Sequence, residues 1–224
     1  MVPKPSPVNI QGLQTFRYEE RLPEQALLQK LAREISGLVA ARQLHQSGFF
    51  QEQGVIQRTL DELNEDIAFL AFGLCQEDRL PDLHLRYLEA FWQEEFSEDE
   101  SGVFSVGRVY PPRRKIRNYI FSFSSTELET AKRHSDTISK MHSGFVHGAS
   151  PHIMEMCWGE NALFHLDGMS GSALEPAYRK NLDNNLYRAT ISVGFAAKAF
   201  GDAKLFGEVA DIMTELERLD GRGV

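Results

Sequence analysis

Only two cysteines, Cys75 and Cys157, occur in 224 residues, so the chain has neither a disulfide framework nor metal-knuckle spacing. No run approaches the ~18 consecutive apolar residues that span a bilayer, and Met1-Val2-Pro3-Lys4-Pro5 lacks the apolar stretch of a secretory leader. Cations are in deficit, with 24 Lys and Arg against 32 Asp and Glu for a net charge of −8. A surface of that sign excludes indiscriminate attraction to nucleic acid or anionic membranes, although a local basic patch remains open. Repeats, low-complexity tracts and a Gly-x-Ser-x-Gly nucleophile elbow are also missing. These absences point to a reduced, cytoplasmic, globular protein. With 42% hydrophobic and 25% charged residues, the chain can build a core without staples.

What is present is helical period. Leu28, Leu31, Ile35 and Leu38 recur at 3-4-3 spacing behind Pro23, which suits a first helical turn. Ile56, Leu60, Leu63, Ile67, Leu70 and Leu74 repeat as 4-3-4-3-4, and apolar residues surround that helix beyond Ile67, so its C-terminal half is expected to be buried on several sides. A third segment from Pro81 carries Leu85, Leu88, Trp92 and Phe96 on one stripe. An acidic run (Glu94, Glu95, Glu98, Asp99, Glu100) then gives way to a basic one (Arg108, Arg113, Arg114, Lys115, Arg117) across a long loop near 97–112, with room for a short strand pair. Ser124 and Glu127 form a capping box ahead of a helix striped by Ala131, His134, Ile138, Met141 and Phe145. Ser150-Pro151 opens a short helix. Ser172 and Glu175 open a long one, broken at Gly201-Asp202 before Leu205, Val209, Ile212, Leu216 and Leu219 carry the last. This pattern predicts an all-α bundle of about seven or eight helices. Residues 1–20 read as an extended N-terminal arm and 21–224 as one all-α domain, with a subdivision near 97–112 possible.

Five of the seven histidines fall between 134 and 165, and the densest stretch is His142, His147 and His152, followed by Glu155. His142 and His147 stand about 140° apart on a continuous helix and cannot chelate one ion together. A divalent metal would need a bend at Gly144 or Gly148 to bring His147 towards His152 and Glu155. Without that bend no cofactor is implied. His134 sits on the apolar stripe as a core residue, and His142 lies beside it, placed for a helix–helix hydrogen bond. Ser143, one turn before His147, lacks the third group and oxyanion hole of a nucleophile pair. Arg133, Lys140 and His147 are spaced by seven and share nearly one face. Such a line could hold a phosphate and move its proton, the requirement of metal-free RNA cleavage, or form a solvated face on which the cations pair with Asp136. Arg113, Arg114 and Arg117 read either as phosphate contacts or as counter-charges to the acidic run at 94–100. Cys75 and Cys157 read as inert buried thiols.

The run Ser143-Gly144-Phe145-Val146-His147-Gly148-Ala149-Ser150 resembles the signature of a family of uncharacterised bacterial helical proteins, a domain of unknown function in which a helix ends in Ser-x-x-x-His-Gly/Pro-Ser. That family is distantly similar to the HEPN (higher eukaryote and prokaryote nucleotide-binding) class, whose ribonuclease members separate an arginine from a histidine by four to six residues. The matching pair in this chain is Lys140 and His147, with lysine in the arginine's place. The resemblance implies a helical fold and, as the alternative function, a metal-independent ribonuclease or nucleotide-binding protein. The residues themselves lead first to a binding or interaction module with its site near 142–152. Its partner would be a protein, a second copy, or RNA or a nucleotide, and not a membrane. A metal-dependent hydrolase using His147, His152 and Glu155 is a second alternative.

Overall fold

The frame is a pair of long helices, α1 (Pro23–Gln46) and α2 (Phe50–Leu74), folded back on each other through a turn in which Gly48 has φ 78°. The computed structural model describes residues 2–10, 12–76, 79–99, 102–123, 133, 137 and 140–219. Pro23 occupies the first turn of α1, and the Gln25 side chain reaches back to the Leu22 amide at 2.8 Å, satisfying a donor the helix leaves orphaned. There follow α3 (Asp82–Trp92), α4 (Arg113–Phe121), a helical segment α5 over 140–146, α6 (Ser150–Met154), α7 (Glu175–Ala199) and α8 (Ala203–Leu219). Three two-stranded antiparallel sheets complete the described residues: β1 (Ser6–Ile10) with β2 (Leu13–Arg17), β3 (Phe96–Asp99) with β4 (Gly102–Ser105), and β5 (Cys157–Trp158) with β6 (Leu163–Phe164). The expected mostly α single-domain bundle is therefore what the chain forms. No helix among the described residues is long and apolar enough to cross a membrane.

Helix α7 lies against both α1 and α2, α4 covers α2, and α8 rests mainly on α7. Ala26 and Leu27 of α1 meet Ile67, Phe69, Leu70 and Ala71 of α2, with Tyr87, Leu88, Ile116 and Ala196 closing the core. The expected all-round burial of α2 beyond Ile67 is found there. At its centre the His84 ring stacks on Phe69 at 3.7 Å, and His84 Nε2 lies 2.7 Å from the Phe69 carbonyl oxygen. A Cβ on Gly73 would fall inside that imidazole, so only glycine admits the stack. Gly201 (φ 71°) ends α7, and the Asp202 carboxylate accepts the Leu205 amide at 2.9 Å to start α8.

Several expectations change. Leu28 and Ile35 of the α1 stripe are 39% and 47% exposed, while α1 turns Glu34, Gly37, Ala41 and His45 inward. The reason is a close approach: a Cβ on Gly37 would come 2.9 Å from Leu60 Cδ2. The small and polar side of α1 therefore meets α2 most closely, and of the expected stripe Leu31 packs against the core while Leu28 and Ile35 face outward. Helix α3 stops at Trp92, and Phe96 opens a strand with its side chain exposed. The loop near 97–112 contains the β3–β4 hairpin, and residues 6–17 of the arm are a hairpin whose Arg17 pairs with Glu94 at 2.7 Å. Cys75 is exposed rather than buried. The Ser124–Glu127 capping box, Asp136 and His134 lie outside the described residues.

Candidate functional site

Helix α2 carries an unusual polar spine for a central helix. Asp61 is buried between α5 and α7, where His142 Nδ1 stands 2.5 Å from one carboxylate oxygen and the Arg188 guanidinium meets the other. Burial alone would raise the Asp61 carboxyl, but the His142 hydrogen bond and the Arg188 charge together outweigh it and hold the group below the usual carboxylate range. An ionised carboxylate only accepts, so His142 Nδ1 donates. One turn on, Asn64 donates to the Arg188 carbonyl (3.1 Å) and to Ser192 Oγ (2.8 Å), and Ser192 donates to Glu34 of α1 at 3.1 Å. Burial pushes the Glu34 carboxyl up to about 7 against the pull of Ser192 and Arg188. This network ties α1, α2, α5 and α7 together through six side chains.

The imidazoles of 142–152 do not share a recess. His142 is 7% exposed and committed to Asp61, as its helix–helix hydrogen-bond reading anticipated. His147, on the last turn of α5 before Gly148 (φ 58°), is exposed. Its amide takes the Ser143 carbonyl at 3.1 Å, and no side-chain hydrogen bond joins Ser143 to His147. His152 packs against Gly144, where any Cβ would enter its ring, and against Phe145 with centroids 4.1 Å apart. His152 Nδ1 and Glu155 Oε1 are 3.7 Å apart, near but too long for a hydrogen bond. Glu155 is engaged elsewhere, accepting from Gln51 at 3.1 Å and from the Tyr178 hydroxyl. Burial, then the Glu155 carboxylate, raises the Tyr178 phenol. The set His147, His152 and Glu155 is therefore not assembled, and among the described residues no group of three or more His, Cys, Asp or Glu is placed to hold a metal. The reason is the turn itself: Gly148 sends His147 outward while His152 folds back under α5.

The basic cluster is mostly spent inside the fold. Arg113 meets Asp66 and lies 3.5 Å from Glu62, and Arg117 Nε donates to Glu65 at 2.8 Å, so both clamp α4 onto α2. These partners lie on α2, and among the described residues Arg108 pairs with Glu95 of the run at 94–100 (3.1 Å), as the counter-charge reading expects. Arg113 and Arg117 thus do not present a free phosphate contact, whereas Arg114 is exposed. Arg133, Lys140 and His147 are all exposed and make no ion pair with another described residue.

A concavity lies elsewhere, between the C-terminal half of α1 and the N-terminal half of α7, with a volume of about 640 Å³. Leu38 and Val39 face Leu182 and Leu186 across it, and Arg42 and Arg179 stand on opposite walls with Asp183 nearby. His45 forms part of the lining, buried to 7% exposure. Gln53 donates its amide to the Tyr178 carbonyl (3.0 Å), so its own oxygen accepts, and His45 Nδ1, 3.0 Å away, must carry the proton. His45 Nε2 is buried and has no hydrogen-bond partner among the described residues. Sequence reasoning missed Arg42, His45, Arg179 and Asp183. The i, i+4 spacing of Glu175, Arg179 and Asp183 does mark one polar helix face, but nothing local says that α1 faces it. No protein-family model matches the chain, no curated protein matches it, and no solved structure matches its fold.

Glu34 gives a pH test of the polar spine. Below its ordinary value of 4.5 the group is neutral in folded and unfolded chains alike. Its contribution is fully present there and is lost as pH rises through the folded value near 7, because only the unfolded chain gains from ionising early. The loss amounts to about 3 kcal/mol. Glu34→Gln keeps the Ser192 contact without ionising, so in urea unfolding it should exceed wild type by roughly that amount near about pH 8 and match it near about pH 4. Equal stabilities at both pH values would contradict the assignment.

Proposed function

We propose that the protein is a binding module whose ligand, a small amphiphilic molecule, occupies the α1–α7 cleft. The observation that carries this reading is the cleft's composition: four aliphatic side chains with a few convergent polar groups, among them two guanidiniums that make no ion pair among the described residues. Its volume of about 640 Å³ lies within the range of small-molecule sites, ~300–1,000 Å³. The segment 142–152 then acts as a brace, anchoring α5 on α2 through His142 and Phe145. We place the protein in the cytoplasm, in keeping with its two unpaired thiols.

The experiment is a thermal-shift series with millimolar octanoate, octylamine and L-leucine. At least one should raise the melting temperature of wild type and of His147→Ala, and the rise should vanish in Leu182→Trp, whose indole fills the cleft. No rise with any of the three, or a rise that survives Leu182→Trp, would overturn the reading.

A second reading is favoured by one observation: Arg133, Lys140 and His147 remain exposed, without an ion pair among the described residues, while His142 turns inward. A HEPN-like, metal-independent ribonuclease would use Lys140 on the phosphate and His147 for proton transfer. Purified protein should then degrade RNA in EDTA, and His147→Ala should abolish this without altering the melting temperature. Intact RNA after incubation with wild type would contradict it.

A further inference from the structure

The charges around the cleft select among amphiphiles. Arg42 projects from α1, whereas Glu175, Arg179 and Asp183 follow one another at intervals of four along α7. Glutamate four residues before arginine is the favoured order for an ion pair on a helix. Yet Arg179 pairs with neither neighbour: Glu175 instead accepts the Gly171 amide at 2.8 Å, and Asp183 has no ion pair among the described residues. The lining therefore offers two cations and two carboxylates, formally balanced, with Arg42, Arg179 and Asp183 making no ion pair among the described residues. A polyanion such as a nucleoside triphosphate would meet two carboxylates as well as two cations. A simple amine or a simple carboxylate would leave one sign of charge unanswered.

We propose that the cleft takes a zwitterion with an apolar body, a free α-amino acid with a large apolar side chain being the plainest member of that class. The inference rests on the binding reading above and adds the ligand's chemistry. The guanidiniums of Arg42 and Arg179 hold the carboxylate, for which the planar fork of arginine donors is matched in shape. Asp183 answers the ammonium. His45 lies buried at the floor, where its Nδ1 donates to Gln53 and ties α1 to α2 beneath the ligand. Leu38, Val39, Leu182 and Leu186 line the remaining wall, and Val39 and Leu186, 53% and 44% exposed in the free protein, lose that exposure to the side chain of the ligand.

The test compares three molecules of nearly equal shape by isothermal titration calorimetry on the full chain: L-phenylalanine, hydrocinnamate (no ammonium) and phenethylamine (no carboxylate). L-phenylalanine should bind about tenfold or more tightly than either, as expected when a charge-assisted hydrogen bond is withheld. Arg42→Gln and Asp183→Asn should each weaken it by about tenfold while leaving the melting temperature of the free protein unchanged, and His147→Ala should not. If hydrocinnamate or phenethylamine binds as well as L-phenylalanine and Leu182→Trp abolishes it, the cleft is a binding site but the zwitterion assignment is wrong. If L-phenylalanine binds equally to all the cleft variants, it sits elsewhere and the assignment is wrong. If none of the three binds, the zwitterion assignment fails, and the octanoate, octylamine and L-leucine series decides separately whether the cleft binds anything.

Discussion

A single carboxylate, Asp61, decides how the helices of this protein stand against one another. It lies in the middle of α2, buried, with an imidazole from α5 on one oxygen and a guanidinium from α7 on the other. An ion in that position is costly unless each lone pair is met, so α5 and α7 are admitted in the one register that meets them. The same logic repeats along α2. Asn64 reads the backbone and hydroxyl of α7, Asp66 holds Lys30 of α1 at 2.8 Å and also Arg113 of α4, and Glu65 holds Arg117. Apolar contacts gather these helices, and the polar spine sets where each one stops sliding.

That spine also shapes the cleft. Helices α1 and α7 are joined through Ser192 and Glu34 at one level and, through the α2 residue Gln53, by His45 and the Tyr178 carbonyl at another. Phe50 stacks on Tyr178 at 5.0 Å and on His45 at 5.2 Å, which fixes the floor. Pinned at these levels, the two helices leave a gap between Leu38 and Val39 on one side and Leu182 and Leu186 on the other. Leu38, the last residue of the α1 stripe, and Val39 beside it form one wall. Polar residues have taken the interior, and apolar and charged groups stand together at the rim of the cleft.

Much of this is legible in the chain before any fold is known. Helix period places α2 and α7, Pro23 and Pro81 mark helix starts, and Gly201-Asp202 marks the α7–α8 break. His142, read beside an apolar stripe as a helix–helix hydrogen-bonding group, is that. What stays hidden are facts that no local window contains. The leucines of α1 look like a core face, yet Gly37 and Glu34 on the neighbouring face let α2 approach more closely. Arg113 and Arg117 read as phosphate contacts or as counter-charges to the nearby run at 94–100, because the acids they meet, Asp66 and Glu65, lie about fifty positions upstream on α2. The bend at Gly144 or Gly148 that a metal site would need is present at Gly148, but it brings His152 under α5 and leaves His147 exposed. Arg42 and Arg179 meet across a cleft only after α7 has been seated by the spine.

The measurement closest to the centre of this account is a double-mutant cycle in urea unfolding over Asp61→Asn and Arg188→Met. If the carboxylate and guanidinium act as one unit in setting the register of α7, the two single losses will exceed the loss in the double variant, with a coupling of about 1 kcal/mol or more. Losses that simply add, within about 0.5 kcal/mol, would mean that α7 is held by apolar packing alone and that the polar spine is a passenger.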